Sequence, residues 1–306
     1  MTLALLVTGA GGQLAGDLLA LARARRDVPF ARGLARADLD VTDSFAVHDA
    51  ITAWARVVRG DSPAHRLVVV NAAAYTAVDA AESDEEGAFA VNAAAPALLA
   101  TACARIGARL VHVSTDYVFP GDASRPYEVD DPTGPASVYG RTKLAGEQAV
   151  REIHPDGSHV VRTAWVYGAG GANFVKTMCR LEAQQPTVSV VDDQRGSPTW
   201  TRDLASGLLE LAGSEVSPGV LHATNRGETT WCGFTKAIFS ELGADPGRVL
   251  PTTTDAFPRP APRPAYSVLS PSAWDGAGLT PLRGWREALA EAFRLHRDAF
   301  QPTASA

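Results

Sequence analysis

The chain has 306 residues, a formal net charge of -6, 46% hydrophobic and 20% charged residues; such a chain can bury a sizeable core, which excludes disorder. Its length allows one large α/β domain or two closely packed ones, and its acidic balance, with scattered Lys and Arg, excludes a phosphate-backbone binder, so no nucleic-acid partner is expected. Cys103, Cys179 and Cys232 are odd in number and widely spaced, which argues against a disulfide framework and a zinc site and favours a reducing compartment.

The N-terminus, MTLALLVTGAGG, has no positive leader, and its apolar run breaks at Thr8 and Gly9. No stretch reads as the roughly 18 apolar residues of a membrane span, so a cytoplasmic protein with no membrane partner is expected. Residues 3–7, LALLV, predict a buried strand, and Leu14, Leu18, Leu19, Leu21 and Ala22 give the following helix its apolar face. A second strand is predicted at 30–34, a helix at 44–58 opened by Thr42 and Asp43, and a third strand at 67–70. A helix over 85–105 ends at Gly107 as its C-cap, and a fourth strand covers 109–114.

This alternation predicts parallel pairing through right-handed crossovers, hence a Rossmann-like, doubly wound α/β sheet. After about residue 163 the pattern loosens. Strands at 188–191 and 220–224 are separated by irregular loops, 258–264 (PRPAPRP) reads as a rigid loop over a site, and a helix at 285–300 precedes a frayed QPTASA. The expected division is a cofactor half, 1–163, and a smaller C-terminal substrate-binding α/β cap, 164–306, with part of 199–224 returning to the sheet.

Strand one runs directly into Thr8-Gly9-Ala10-Gly11-Gly12-Gln13-Leu14-Ala15-Gly16 and then a helix, the context that a dinucleotide fingerprint requires. Gly9 and Gly12 permit a sharp turn and close approach to a pyrophosphate, which free N–H groups and the helix dipole attract. At the end of strand two stand Arg32 and Arg36, where an NAD-preferring enzyme would carry an acid; a guanidinium suits the 2′-phosphate of NADPH, although both also fit solvated surface charges and NADH stays possible. Asp40 either accepts from an adenine amino group or opens the next helix. The small run Asn71-Ala72-Ala73-Ala74 suits a ligand lying flat on the backbone, or close helix packing.

Tyr139 and Lys143 stand four apart at the start of a helix and so share one face. An ammonium beside the phenol is expected to pull its pKa from near 10 towards neutrality, where general acid/base work is efficient. Thr115, in Ser114-Thr115-Asp116-Tyr117, ends strand four at the carboxyl edge of the sheet and can donate to a substrate oxygen.

With GAGGQLA, LDVTD, NAAAYTAVDAAE, STDYVFPG, VYGRTKLAGE, RTAWVYG, VVDDQRGSPT and RPAYS in this order, nearly the whole chain resembles the extended short-chain dehydrogenase/reductases. The resemblance implies NADPH-dependent reduction of the C4 keto group of a dTDP-4-keto-6-deoxy-L-hexose by a monomer or weak homodimer. It implies Gly12, Gln13 and Leu14 at the pyrophosphate, Asp40 and Val41 at the adenine, and Ala72, Ala73, Ala74 and Val113 along the cofactor. It further makes Tyr139 the proton donor and places Lys143 at the nicotinamide ribose. Thr115, Asp116 and Trp165 fall to the sugar, and Gln194, Gly196 and Arg263 to the nucleotide-sugar side. Ala15 replaces a common glycine, and the last motif continues as SVLS, which could mark a different hexose. Some members dimerise through a metal held by acids; Arg202 stands where an acid would help, so no metal is expected. The rivals are a reductase of another 4-keto sugar and a non-catalytic regulatory subunit of the same fold.

Overall fold

The computed structural model describes residues 2–62 and 64–300. Six apolar runs form one all-parallel sheet: β1 (Leu3–Thr8), β2 (Phe30–Leu34), β3 (Arg66–Asn71), β4 (Arg109–Thr115), β5 (Ser158–Thr163) and β6 (Gly219–His222). Their spatial order is β2-β1-β3-β4-β5-β6. The connection reverses direction between β1 and β3, which makes their carboxyl ends the switch point where doubly wound sheets bind ligands.

Helices cover both faces, so β1 is buried along its full length and reads as an unbroken apolar run. Leu5, Val7, Val68, Val70 and Val111 pack against α1 (Gln13–Arg23) on one face. Leu6, Val69, Leu110 and Val160 point the other way, towards α2 (Ser44–Asp61), α3 (Glu85–Ile106) and α4 (Val138–Ile153). A separate apolar cluster holds α5 (Phe174–Gln184) to α7 (Trp231–Leu242) and α8 (Trp285–Phe300) through Met178, Phe234, Phe239 and Phe293. Between α5 and α7 lies α6 (Thr201–Gly213), whose Leu204 and Leu208 join the cluster around α1. The chain then returns to the sheet as β6 beside β5.

The predicted ends are close because local chemistry sets them. Asp43 accepts from the N–H groups of Phe45 and Ala46 at 2.9 and 3.0 Å and starts α2, while Gly107, at φ +64°, ends α3. The reading that no stretch could cross a membrane needs correction. Helix α3 has 22 residues and an apolar window of mean hydropathy 1.5, long and apolar enough to span one. Its alanines instead allow close packing against α2 and α4, and half of that window is buried inside the protein. A π turn at Ala90–Ala94 interrupts it and aims Asn92 inwards, where it holds Tyr75 through N–H (2.8 Å) and C=O (3.1 Å). The three cysteines are unpaired and buried, and QPTASA lies outside the described residues.

Candidate active site

At the switch point β1 turns into α1 through Gly9, whose φ is +72°. A Cβ there would lie 2.6 Å from the Ala73 nitrogen and 2.8 Å from the Ala72 carbonyl carbon, so only glycine lets the continuation of β3 pass this close. Gly12 starts α1 with no side-chain cap and no acid in the first turn, leaving N–H groups and the positive helix end free for an anion. They border a cleft of about 790 Å³. Gly9, Gly12, Gln13, Leu14, Asp40, Val41, Ala72, Ala73, Ala74 and Val113 all line it.

Arg32 does not line this cleft. It is exposed on β2, two residues short of the strand end, so its side chain leaves the sheet below the carboxyl edge; Arg36, beyond that end, lines the cleft instead. Asp40 accepts from the Thr42 N–H (2.9 Å) and hydroxyl (2.7 Å), which hold its carboxyl below the usual range.

On the other side of the cleft, Ser137 caps α4 by accepting from the Gly140 N–H at 3.1 Å. One turn of α4 puts Tyr139 and Lys143 on the face towards β4, and both line the cleft with Thr115 and Asp116. The Tyr139 ring meets Tyr117 edge to face, with centroids 5.5 Å apart. Lys143 is 2% exposed, and its Nζ donates to the Val113 carbonyl at 2.7 Å. Thr115 donates to Asp116 Oδ1 at 2.9 Å and accepts from the Tyr117 N–H at 3.2 Å.

Electrostatics here departs from the sequence expectation. Burial pushes the Tyr139 phenol up to about 12, against the pull of the Thr115 hydroxyl. Burial also brings the Lys143 amine down to about 8, against the pull of Glu147. Burial outweighs every other influence on the phenol, and the Lys143 ammonium, turned to the Val113 carbonyl, does not offset it. Burial likewise raises the Asp116 carboxyl to about 6, against Ser267 and Thr115.

The segment after β5 contributes Trp165, a non-glycine residue strained at φ +47°. Its indole stacks on Trp231 with centroids 3.5 Å apart and planes at 5°, and both line the cleft. Gly196 lies behind this pair, since a Cβ there would be 2.4 Å from Trp165 Cε2. Gln194 donates to Thr254 at 3.0 Å, and Arg263 donates to Asp79 at 2.8 Å. These three do not line the cleft. Trp231 escaped sequence reasoning because an aromatic opening an apolar helix reads as core. Tyr75, which also lines the cleft, carried a signal, as it adjoins the Asn71–Ala74 run already singled out.

A glycine turn feeding a helix N-terminus, with buried Thr, Tyr and Lys facing it across the switch point of a parallel sheet, defines a pyridine-nucleotide oxidoreductase of short-chain dehydrogenase/reductase type. Within that class the chain belongs to the family described as the RmlD substrate binding domain, whose model matches residues 2–297. It is 53% identical over 293 residues to the dTDP-4-dehydrorhamnose reductase of Streptomyces griseus, covering 94% of this chain and 92% of the relative. It is 46% identical over 291 residues to the dTDP-4-keto-6-deoxy-D-glucose reductase of Streptomyces niveus, covering 95% and 96%. The crystal structure of dTDP-4-dehydrorhamnose reductase from Bacillus anthracis str. Ames in complex with NADP superposes with a TM-score of 0.88 at 34% identity, covering 96% of this chain and all of that one.

Proposed function

We infer that this chain is a dTDP-4-dehydrorhamnose reductase, which uses NADPH to reduce the C4 keto group of dTDP-4-dehydro-6-deoxy-L-mannose to dTDP-L-rhamnose. The observation that carries the reading is the convergence of Thr115, Tyr139 and Lys143 with the Gly9–Gly12 turn on one cleft. The residues present fit the cofactor. Gly9, Gly12 and the uncapped start of α1 suit its pyrophosphate, the flat Ala72–Ala74 backbone suits its ribose and ring, and Arg36 suits a 2′-phosphate. Lys143 would hold the nicotinamide ribose. When bound, NADPH supplies the hydride.

The chain's own groups supply the proton and the charge stabilisation. With its pKa raised to about 12, Tyr139 is a fully protonated phenol at neutral pH, the form that gives its proton to the alkoxide oxygen forming at C4. The Thr115 hydroxyl, turned from Asp116 to that oxygen, donates to the developing charge, and burial makes the interaction stronger than in water. The Trp165–Trp231 stack offers the sugar a flat apolar wall. Arg263, on exchanging Asp79 for the substrate, suits a pyrophosphate.

A second reading, reduction of another dTDP-4-keto-6-deoxyhexose, is favoured by Ser267 of the SVLS segment, which stands beside the Asp116 carboxyl at the sugar end. The test offers dTDP-4-dehydrorhamnose and dTDP-4-keto-6-deoxy-D-glucose separately with NADPH and follows the nicotinamide absorbance. Faster oxidation with the first supports the main reading, and faster oxidation with the second supports the alternative. No oxidation with either overturns the main reading and leaves a reductase of a further 4-keto sugar or the non-catalytic subunit.

A further inference from the structure

Gln13 stands in the glycine turn, yet its side chain leaves that turn. It opens α1, whose uncapped start leaves backbone N–H groups free for an anion. The carboxamide instead crosses to Val166 and Asn173, which lie 153 and 160 residues further along the chain.

Backbone groups fix the direction of this contact. Asn173 caps α5 by accepting from the Lys176 N–H at 3.1 Å, and an N–H can only donate, so the accepting atom is Asn173 Oδ1. Asn173 Nδ2 therefore donates, to the Gly168 carbonyl at 2.8 Å and to Gln13 Oε1 at 3.3 Å. That turns Gln13 Nε2 to the Val166 carbonyl, an acceptor 3.1 Å away. Both ends of the Gln13 amide are thus engaged by the segment that joins β5 to α5.

The residue this contact secures is Trp165. A side chain other than glycine keeps a φ of +47° only where its surroundings over-determine it, and three constraints converge here. The Trp165 carbonyl accepts from the Thr199 N–H at 3.1 Å, and the indole stacks on Trp231 with Gly196 behind it. The third is Gln13 on the next carbonyl, and it alone comes from the glycine turn. The other end of the segment is held separately, from α5. Asn173 bonds to Gly168, and Lys176 Nζ donates to the Ala169 carbonyl at 2.6 Å. Gly171 and Ala172, which line the cleft beside the turn, therefore do not depend on Gln13 for their place.

We propose that Gln13 is a positioning residue for the sugar, its side chain holding Trp165 in the strained conformation that walls the sugar end of the cleft. The inference rests on the reductase reading, which sets Trp165 against the sugar; the hydrogen bonds stand on geometry alone. One residue is thereby divided between two ligands. Its backbone serves the cofactor turn, and its carboxamide serves the wall on the other side.

Gln13→Met keeps the length and apolar stem of the side chain but cannot donate to the Val166 carbonyl. Calorimetric titration measures NADPH first, then dTDP-L-rhamnose and dTDP on protein saturated with NADPH. Cofactor and sugar are both reduced, so no turnover intervenes. The variant should bind dTDP-L-rhamnose about tenfold more weakly, while dTDP, which lacks the sugar, and NADPH each change by less than about twofold. Unchanged NADPH binding also certifies the fold. In a Trp165→Ala background the same substitution should weaken dTDP-L-rhamnose by less than about twofold further, because the side chain it positions is gone. Weakened NADPH binding with the sugar nucleotide unmoved, equal losses for dTDP and dTDP-L-rhamnose, or the full tenfold loss on Trp165→Ala overturns the proposal. Wild-type protein that binds NADPH and neither nucleotide overturns the reductase reading and the sugar role together. Wild-type binding of both with no loss in Gln13→Met overturns the sugar role alone.

Discussion

Lys143 shows how a single residue can serve the reaction at the expense of stability. Its folded-state pKa of about 8 lies below the ordinary 10.5, so the folded state loses stability as pH falls from about 10.5 to about 8. The deficit at pH 7 is on the order of 3 kcal/mol, partly offset by the bond to Val113 O. Lys143→Met should therefore melt about 2–4 °C higher at pH 7, lose that advantage above about pH 10.5, and have no reductase activity; a lower melting temperature at pH 7 would contradict the sign. Tyr139→Phe removes the proton donor and keeps the ring against Tyr117. Its kcat should fall by about 10²–10⁴ with an unchanged NADPH dissociation constant. Sequence spacing was enough to pair these two side chains, but the direction of both pKa shifts depends on burial, which YxxxK does not encode.

At the scale of elements, the β1–α1 turn and the start of α2 make a useful contrast. Gly9→Ala forces a methyl group against the Ala72–Ala73 backbone at φ +72°, costing about 1–3 kcal/mol and displacing the cofactor turn. Asp43→Ala loses a helix cap worth about 1 kcal/mol at a residue that does not itself line the cleft. Calorimetry and NADPH titration should find both destabilised, with binding weakened more than tenfold only in the first. The end of β2 offers a second contrast. Arg36→Ala should weaken NADPH about tenfold and NADH little, while Arg32→Ala should change neither; equal effects of the two variants would return the 2′-phosphate to Arg32.

Across the whole molecule, a net charge of -6 coexists with the proposed binding of two multiply charged anions. The cleft answers locally with Lys143, Arg36 and the N-terminus of α1. At its edge, Asp79 receives Arg263 at 2.8 Å and Arg259 at 3.9 Å, and so ties the Pro-rich loop to the segment between β3 and α3. Arg263→Ala should raise KM for the nucleotide sugar at least tenfold and leave kcat within about twofold, since the guanidinium is remote from the reacting atoms. A fall in kcat at constant KM would place Arg263 at the chemistry instead.

The sequence by itself determined five of the six sheet strands (Ser158–Thr163 is the exception), the bounds of three long helices, 44–61, 85–106 and 285–300, within a few residues, and the glycine turn, and it brought Thr115, Tyr139 and Lys143 forward as one set. These are local signals: β-branched apolar runs, a helix cap, a fixed spacing on one helix face. Tertiary structure alone decided that Arg36 rather than Arg32 lines the cleft, that Trp231 stacks on Trp165, and that Gly196 packs against Trp165 while Gln194 bonds to Thr254 outside the cleft lining. It also put Thr8, Asn71 and His112 in one rung, although they stand 63 and 41 residues apart. Parallel strands acquire their neighbours only after each crossover helix has packed, so a contact across strands has no counterpart in local spacing.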